Sequence, residues 1–252
     1  MGTYLCTGFL ITSEGHLMTN AHCISSEEEA LNTDYEFYGW TPGCEEANYQ
    51  LKTRGDIYKA TELLGYDNAL DYAIVNINLD DATKAELGYM ELHDLAYETD
   101  DGAFMNQIQG MAIYLAHHSL GKDMMFGLFS THEEDLALET DANLESYSGR
   151  ARGHVIGFYE ALCTTKFAKS GYYEVGYYID TEGGSSGCFV ASADNHKVVG
   201  LNHCGCTGCA CMNIAVPINH IYQHMCQDST MCTVMNCCES TSVCHGNGKK
   251  AC

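Results

Sequence analysis

The sequence predicts an all-β protein that ends in a short helix and a cysteine-rich tail. Glycine is abundant (25 residues), proline is nearly absent (2) and tyrosine is frequent (17), a mixture that suits aromatic strand faces joined by glycine turns. Short segments rich in aromatic and β-branched residues recur at close spacing, with few helical stretches between them. At 252 residues the chain can bury a substantial core, as one domain or as two coupled halves.

The first half of the chain contains strand-like segments at residues 4–12, 16–19, 35–40 and 70–77. Between the second and the third segment, Glu27-Glu28-Glu29 is predicted to be an acidic, solvated loop. The stretch from Leu79 to Gly102 is polar and acidic, and we interpret it as a linker between two halves.

The second half contains further strand-like segments at residues 110–117, 124–129, 153–158 and 172–179, of which the first two read as a hairpin. Residues 217–225 are predicted to form a short terminal helix. We therefore divide the chain into residues 1–80, a linker over 81–103, residues 104–225 and a cysteine-rich tail over 226–252.

The chain is strongly acidic. It carries 34 Asp and Glu residues against 12 Lys and Arg, a formal charge of −22 at pH 7. Nucleic acids and anionic membrane surfaces repel such a chain, so we expect neither as a partner. No stretch approaches the roughly 18 consecutive apolar residues that would indicate a membrane span.

Fifteen cysteines favour an oxidising compartment, and hence a secreted protein. No signal peptide precedes the first strand-like segment, so we interpret the chain as a mature fragment or an N-terminally incomplete sequence. Four cysteines fall within residues 204–211, a spacing that also suits zinc or a soft metal. Disulfides are the favoured use in an acidic, secreted chain, and we predict no metal and no cofactor.

Three short motifs carry the chemistry. Ser186 lies in Gly183-Gly184-Ser185-Ser186-Gly187, His22 lies in Thr19-Asn20-Ala21-His22-Cys23, and Asp71 opens the apolar run Asp71-Tyr72-Ala73-Ile74-Val75. A serine between glycines, a histidine and an aspartate are the parts of an activated nucleophile, because the histidine takes the hydroxyl proton and the aspartate fixes the tautomer of the imidazole. Each motif alone also suits a plain turn or loop. The three together predict a catalytic triad.

The sequence resembles the trypsin/chymotrypsin-type serine peptidases in these motifs and in the segments 6–11, 180–190 and 198–203. The sequence of residues 181–187 resembles the glutamyl- and lysyl-endopeptidase branches more closely than it resembles digestive trypsins. The resemblance implies two six-stranded antiparallel β-barrels of the chymotrypsin type, the first with His22 and Asp71 and the second with Ser186. Only five residues precede Cys6, so we expect the first barrel to lack its first strand.

The resemblance also implies roles for neighbouring residues. The backbone N–H groups of Gly184 and Ser186 would form the oxyanion hole, and Gly184 suits this role because glycine adopts the backbone angles that aim its amide at the oxyanion. Cys6 and Cys23 would form the disulfide that ties the histidine loop, worth roughly 3 kcal/mol for a loop of this length. Ser185 stands where zymogen-activated trypsins have an aspartate, so we predict that no ion pair with a newly cut N-terminus switches the site on.

Substrate preference is predicted from the same resemblance. Asp180 occupies the position of the acid at the floor of the primary specificity pocket, where a buried carboxylate selects Arg or Lys. Gly205 matches a pocket-wall glycine, whereas the second wall glycine is replaced near Asn213. In glutamyl-specific relatives a histidine in a Gly-x-His segment contacts the acidic side chain; here Asn202 holds that register and His203 follows it. We therefore predict cleavage after basic residues.

The sequence thus predicts a monomeric serine endopeptidase that acts through an acyl-enzyme on polypeptide substrates, with cationic substrates favoured by the charge of the protein. A catalytically silent homologue that binds or inhibits other proteins is the alternative. A cysteine-rich metal-binding protein is a third hypothesis, and it leaves His22 and Asp71 unexplained.

Overall fold

The structure, a computed structural model, describes residues 5–40, 55–138, 150–160, 173–205 and 212–235. The strands of its first half are β1 (Phe9–Leu10), β2 (His16–Thr19), β3 (Tyr35–Phe37), β4 (Asp56–Tyr58), β5 (Ala60–Asp67) and β6 (Tyr72–Ile77). Four of these strands form an antiparallel sheet in the order β1-β2-β6-β5, and β3 pairs with β4 separately. Helix α1 (Glu27–Asn32) follows the turn at the end of β2.

Strand β6 separates two hydrophobic cores, because successive side chains of a strand point to opposite faces. Ala73 and Val75 belong to a smaller core within the first half. Tyr72 and Ile74 belong to a larger core that includes most of the second half. Phe9 of β1 joins the same larger core and packs edge-on against Phe189, with ring centroids 5.5 Å apart. The two halves of the chain therefore share buried apolar surface, which fixes the distance between their loops.

The segment that was predicted as a linker is largely helical. It contains α2 (Asp81–Leu87), a 3₁₀ helix (Asp94–Tyr97) and the start of α3 (Asp101–Ile108). Ala96 is fully buried in the larger core, and Leu92 and Leu95 pack against that core. Residues 81–103 thus pack as part of the fold, and the domain bounds given above stay a proposal.

The second half contains a nine-stranded sheet. Its strands are β7 (Ala112–His117), β8 (Met125–Gly127), β9 (Phe129–Ser130), β10 (Ala151–His154), β11 (Gly157–Glu160), β12 (Tyr173–Tyr177), β13 (Phe189–Ser192), β14 (Val198–Cys204) and β15 (Asn213–Pro217). They pair in the order β11-β12-β15-β14-β13-β7-β10-β9, and β8 pairs with β7 as the hairpin prediction required. The helices of this half are α4 (Glu133–Leu138), α5 (Ile218–Met225), α6 (Ser229–Val234) and a 3₁₀ turn at Ser119–Gly121.

The mostly-β fold and the short C-terminal helix α5 are confirmed. Two six-stranded barrels are not confirmed, because the described strands pair into sheets of four, nine and two. Of the predicted cysteine-rich tail, residues 226–235 include α6 and a disulfide-bonded Cys226, and residues 236–252 lie outside the described part.

One local prediction was wrong. Glu27-Glu28-Glu29 is the first turn of α1 and not a loop. Ser26 caps this helix by accepting a hydrogen bond from the Glu29 N–H at 3.2 Å. Three carboxylates next to a capped N-terminus are stabilised by the helix dipole, which explains why an acidic run is helical here. In the part of the chain that the structure describes, we find no helix with the length and apolarity to cross a bilayer.

Candidate active site

His22 and Asp71 are brought together by two turns of the first half. His22 lies in the turn after β2, and a disulfide between Cys6 and Cys23 ties this turn to the segment before β1. Asp71 closes the turn between β5 and β6 with a φ of 47°. Asn20 supports that left-handed conformation, since its Nδ2 donates to the Asp71 carbonyl oxygen at 2.8 Å.

The Asp71 carboxylate holds His22 through both of its oxygens. Oδ2 lies 2.7 Å from His22 Nδ1, and Oδ1 accepts the His22 backbone N–H at 2.9 Å. An ionised carboxylate can only accept, so Nδ1 carries a proton, and in the neutral ring this tautomer gives Nε2 the lone pair that a general base needs. The His22 side chain is 31% exposed, whereas that of Asp71 is 4% exposed. The histidine therefore faces the solvent side of the pair.

Asp71 is buried and still ionised. Burial by itself raises its pKa, but hydrogen bonds from His203 and then His22 outweigh burial and hold the pKa below its usual value. The carboxylate is therefore present as an anion at neutral pH, which is the form that stabilises a developing imidazolium.

Ser186 lies in a turn built on two glycines with positive φ, Gly184 (98°) and Gly187 (86°). Ser186 is half-buried. Within the described residues, the backbone N–H groups of Gly184 and Ser186 have no intramolecular acceptor. Two free amides beside a serine hydroxyl are the arrangement that an oxyanion hole requires.

The serine turn packs directly on the loop that carries His22. A Cβ at Gly187 would overlap the Thr7 carbonyl oxygen and the Thr19 hydroxyl, and it would lie 3.2 Å from the Asn20 nitrogen. Only a glycine allows this approach. Among the contacts of the described residues there is no hydrogen bond between the Ser186 hydroxyl and His22, although the loops that carry them pack together.

Thr7 clamps the serine turn from the first half. Its backbone N–H donates to the Ser186 carbonyl oxygen at 2.8 Å, and its hydroxyl donates to the Gly184 carbonyl oxygen at 2.8 Å. The same hydroxyl oxygen accepts the His118 N–H at 3.0 Å. Three segments that are distant in sequence are thereby held in one place, and the peptide planes between Gly184 and Ser185 and between Ser186 and Gly187 are fixed.

Ser185 points away from solvent into a buried polar cluster. Its hydroxyl lies 2.7 Å from His117 Nδ1 and 3.0 Å from the Ser119 hydroxyl, and Ser119 lies 2.9 Å from the same imidazole nitrogen. Burial, reinforced by the nearby His118, lowers the pKa of His117 to about 4. The cluster is therefore neutral at physiological pH. Ser185 stands where zymogen-activated trypsins have an aspartate that forms an ion pair, and this uncharged cluster holds Ser185 instead.

Asn202 supports the serine turn from β14. Its Nδ2 donates to the Ser185 carbonyl oxygen at 3.0 Å, its Oδ1 accepts the Tyr177 hydroxyl, and its carbonyl oxygen accepts the Gly187 N–H at 2.9 Å. With only 3% of its surface exposed, Asn202 is committed to these contacts. This position was predicted to contact substrate, and the geometry favours a supporting role instead.

Asp180 requires a correction. It was predicted to be a buried carboxylate at the floor of the specificity pocket, but the structure leaves it exposed to solvent. Polar uncharged groups occupy the interior beside it: Asn213 Oδ1 accepts the Thr181 hydroxyl at 2.7 Å, and Asn213 Nδ2 donates to the Ile179 carbonyl oxygen at 2.6 Å. A Cβ at Gly205 would overlap Asn213 Oδ1, so a glycine is needed at this predicted wall position.

His203, also predicted to contact substrate, lies behind Asp71. Its side chain is 1% exposed, its Nδ1 is 3.3 Å from Asp71 Oδ2, and its Nε2 is 3.1 Å from a carboxylate oxygen of the fully buried Glu174. Burial opposes a charge on His203, but the adjacent carboxylates of Asp71 and Glu174 outweigh it and raise the pKa to about 8.

Reasoning from the sequence missed four residues of this region: Thr7, His117, Ser119 and Glu174. Thr7 lies beside Cys6 but no motif marks its hydroxyl, and the other three residues lie outside the three motifs. Only the folded chain brings them to the serine turn and to Asp71.

One group of potential metal ligands exists in the described residues, formed by Cys6, His22 and Cys23. The two cysteines are joined in a disulfide, so their sulfurs are not thiolate ligands. The group is therefore not a metal site in the oxidised chain.

A sequence model of the trypsin-like peptidase domain matches residues 6–201, which include His22, Asp71 and Ser186. The chain belongs to the trypsin-like peptidase family. The resemblance drawn from the three motifs is thus confirmed. The chain is also 32% identical over 217 residues to Secreted RxLR effector protein 73 of Plasmopara viticola, an alignment that covers 85% of the chain and 44% of that protein. The chain therefore spans less than half of the length of this curated relative.

Solved structures of serine proteases share the fold of this trypsin-like chain. The HtrA-type protease AlgW with a decapeptide has a TM-score of 0.53 at 14% identity, over 92% of the chain and 52% of that structure. The MamO protease domain of Magnetospirillum magneticum has a TM-score of 0.53 at 12% identity, over 89% and 91%. The Rv3671c protease of M. tuberculosis H37Rv, in an inactive form, has a TM-score of 0.52 at 12% identity, over 88% and 82%. At these identities the likeness shows the fold alone.

Proposed function

We propose that this trypsin-like chain is a serine endopeptidase whose catalytic residues are His22, Asp71 and Ser186. The observation that carries the proposal is the His22–Asp71 pair, in which Asp71 holds Nδ1 on a loop that packs against the turn that holds Ser186. The free amides of Gly184 and Ser186 support it, because they offer donors to a developing oxyanion.

In the proposed reaction, His22 Nε2 takes the proton of the Ser186 hydroxyl as Oγ attacks the scissile carbonyl carbon. The tetrahedral oxyanion accepts hydrogen bonds from the two amides. His22 then returns its proton to the leaving amine nitrogen, which breaks the peptide bond and leaves an acyl ester on Ser186. A water molecule, deprotonated by His22, hydrolyses this ester and restores the free hydroxyl.

The test is covalent labelling of the purified, oxidised protein with a fluorophosphonate, read by intact mass. We expect one adduct on the wild type and none on Ser186→Ala, in which Ser185 is still present. Equal labelling of both proteins would assign the nucleophile elsewhere. No adduct on a folded wild type would favour the silent homologue.

We also propose cleavage after Arg or Lys, although a buried Asp180 no longer supports it. With Asp180 exposed, what favours cationic substrates is the formal charge of −22, which attracts them over long range. A peptide panel that varies only the residue before the cleaved bond tests this preference. Higher kcat/KM for Arg and Lys in low salt, declining as salt is added, would support long-range attraction.

Secretion of the chain is proposed on two observations. The curated relative is named a secreted effector, and the Cys6–Cys23 disulfide is a bond that persists in oxidising surroundings. We also propose that the chain acts as a monomer on polypeptide substrates. Detection of the protein in the culture medium and its mass by light scattering test these two statements.

A further inference from the structure

His203 and Glu174 form a buried pair directly behind the proposed triad. His203 lies on β14 and Glu174 on β12, two strands that are separated by β15 in the sheet. The Glu174 side chain is 0% exposed and that of His203 is 1% exposed. Buried charges are retained in proteins only where they are paired, so the two groups need each other or another partner.

A β-bulge directs His203 into this position. The pairing of β14 with β15 shifts register between Asn202 and Cys204, so His203 is the extra residue. Successive residues of a regular strand point to opposite faces; at this bulge Asn202 contacts Ser185 and Tyr177, and the next residue, His203, contacts Asp71. The bulge thus lets Asn202 support the serine turn while its neighbour contacts Asp71.

The carboxylates beside the two imidazole nitrogens favour a protonated ring. Nδ1 faces Asp71 Oδ2 at 3.3 Å and Nε2 faces Glu174 Oε1 at 3.1 Å. Nδ1 makes a hydrogen bond to Asp71, whereas Nε2 and Glu174 Oε1 are close without hydrogen-bond alignment, so the two carboxylates favour the imidazolium through their negative charge. Within the described residues, Asp71 and Glu174 are the charged groups placed against His203, and His22 lies beyond Asp71.

We propose that His203 and Glu174 are positioning residues that extend the triad into a buried chain of four groups, His22–Asp71–His203–Glu174. The proposal rests on the proposed serine-peptidase function. His203, as a cation on the same oxygen that holds His22, fixes Asp71 Oδ2 and partly neutralises its charge. Glu174 keeps His203 charged and holds its ring from the far side. The pair therefore sets how strongly the charge of Asp71 stabilises the imidazolium that His22 becomes when it takes the proton from Ser186.

The sign of this effect follows from the order of the groups. The positive end of the His203–Glu174 dipole lies nearer to His22 than the negative end does, because His203 contacts Asp71 and Glu174 lies on the other side of the ring. Removal of the dipole makes the surroundings of His22 more negative. His22 should then keep its proton to higher pH, and the neutral base that Ser186 needs should appear later in a pH titration.

The experiment measures the second-order rate constant of fluorophosphonate labelling between pH 4 and 9. We compare the wild type with the double variant His203→Asn, Glu174→Gln, which removes both charges and keeps polar side chains of similar shape. We expect the pH of half-maximal rate to rise by roughly 0.5–1 unit, less than the 1–3 units typical of a directly contacting charge. A folded double variant with an unchanged midpoint would overturn the proposal.

The chain offers a matched control in Asp135 and His154. These residues form another buried pair, with Asp135 Oδ1 3.2 Å from His154 Nδ1, and their described contacts do not include the triad. The variant Asp135→Asn, His154→Asn should lose stability and leave the pH midpoint unchanged. A shift of equal size in this control would show that the midpoint responds to any buried charge, and the proposal would fail.

A second measurement needs no substitution. ¹⁵N NMR of the wild type, with side chains assigned through the backbone, should show His203 as an imidazolium with both ring nitrogens protonated at pH 6.5. A neutral His203 at that pH would contradict the proposal even if the double variant does not fold. Absence of labelling on the wild type is a different result: it defeats the proposed function, and the positioning role fails with it.

Discussion

The Ser185 hydroxyl lies 2.7 Å from His117 Nδ1, and this contact anchors the proposed oxyanion turn to the second half of the fold. Both residues are buried, at 1% and 4% exposure. The Ser119 hydroxyl completes the cluster at 3.0 Å from Ser185. A neutral hydrogen-bonded cluster needs no new chain terminus, so the geometry supports a turn that is formed without an activating cleavage.

Replacement of Ser185 by alanine tests this anchor. The change leaves the buried His117 and Ser119 with one partner fewer, which typically costs about 1–3 kcal/mol of unfolding free energy. We expect the fluorophosphonate labelling rate to fall, but by less than the ~10²-fold typical of deleting an oxyanion donor, because the donors loosen and are not lost. Urea unfolding and the labelling rate measure the two effects.

Ser192→Ala is the control for Ser185→Ala. Ser192 is equally buried, at 1% exposure, and its hydroxyl oxygen accepts the Asp194 N–H at 3.2 Å away from the serine turn. We expect a stability loss with an unchanged labelling rate. If both variants slow labelling equally, the Ser185 cluster has no special link to the oxyanion turn.

Gly187→Ala should prevent the two halves from meeting at the serine turn. The new Cβ would overlap the Thr7 carbonyl oxygen and the Thr19 hydroxyl, and the φ of 86° is itself unfavourable for alanine. We expect loss of labelling together with a Tm decrease. Gly110→Ala separates the two causes, because Gly110 also has a positive φ (76°) but open space around it. This variant should lose only about 1 kcal/mol of stability through backbone strain. Its Tm should therefore fall slightly, and it should be labelled at the normal rate.

The raised pKa of His203 predicts a loss of stability at alkaline pH. A histidine whose pKa is about 8 when folded and about 6.5 when unfolded stabilises the fold fully below pH 6.5, and this contribution disappears as the pH rises through 8. A shift of this size corresponds to about 2 kcal/mol. Urea unfolding at pH 6.5 and 8.5 should show the decrease, and it should shrink in the double variant His203→Asn, Glu174→Gln. A wild type equally stable at both values would contradict the prediction.

The lowered pKa of His117 predicts a loss of stability at acidic pH, whereas the raised pKa of His203 predicts a loss at alkaline pH. A histidine whose pKa is about 4 when folded favours the fold in its neutral form, so its contribution is complete above pH 6.5 and is lost as the pH falls from 6.5 towards 4. The expected loss is about 3 kcal/mol. His117→Asn should flatten the unfolding free energy between pH 6.5 and 4.5. If its slope equals that of the wild type, another group is responsible.

Much of the proposed site could be predicted because its motifs are local. The order His22, Asp71, Ser186 and the glycines around Ser186 are visible in the sequence, and the Cys6–Cys23 disulfide followed from the family resemblance. The helix α1 was missed although Ser26 and Glu29 form a recognisable cap, because an acidic run was read as solvated and not as the first turn of a helix.

The specificity residues were the weakest part of the prediction, for a physical reason. Whether Asp180 is buried depends on how its loop packs, and which way His203 points depends on a bulge in β14. A shift of one residue in a strand reverses the face of every side chain that follows, and no local pattern in residues 198–204 marks the bulge.

The sequence by itself determined which residues can carry the chemistry, since residue types, glycine positions and short spacings are local properties of the chain. Only the tertiary structure decided what surrounds them. Thr7 on the Ser186 turn, His117 on Ser185 and Glu174 on His203 are contacts between segments far apart in sequence. Such contacts form when buried polar groups must find partners inside a packed core, and that requirement depends on the whole fold.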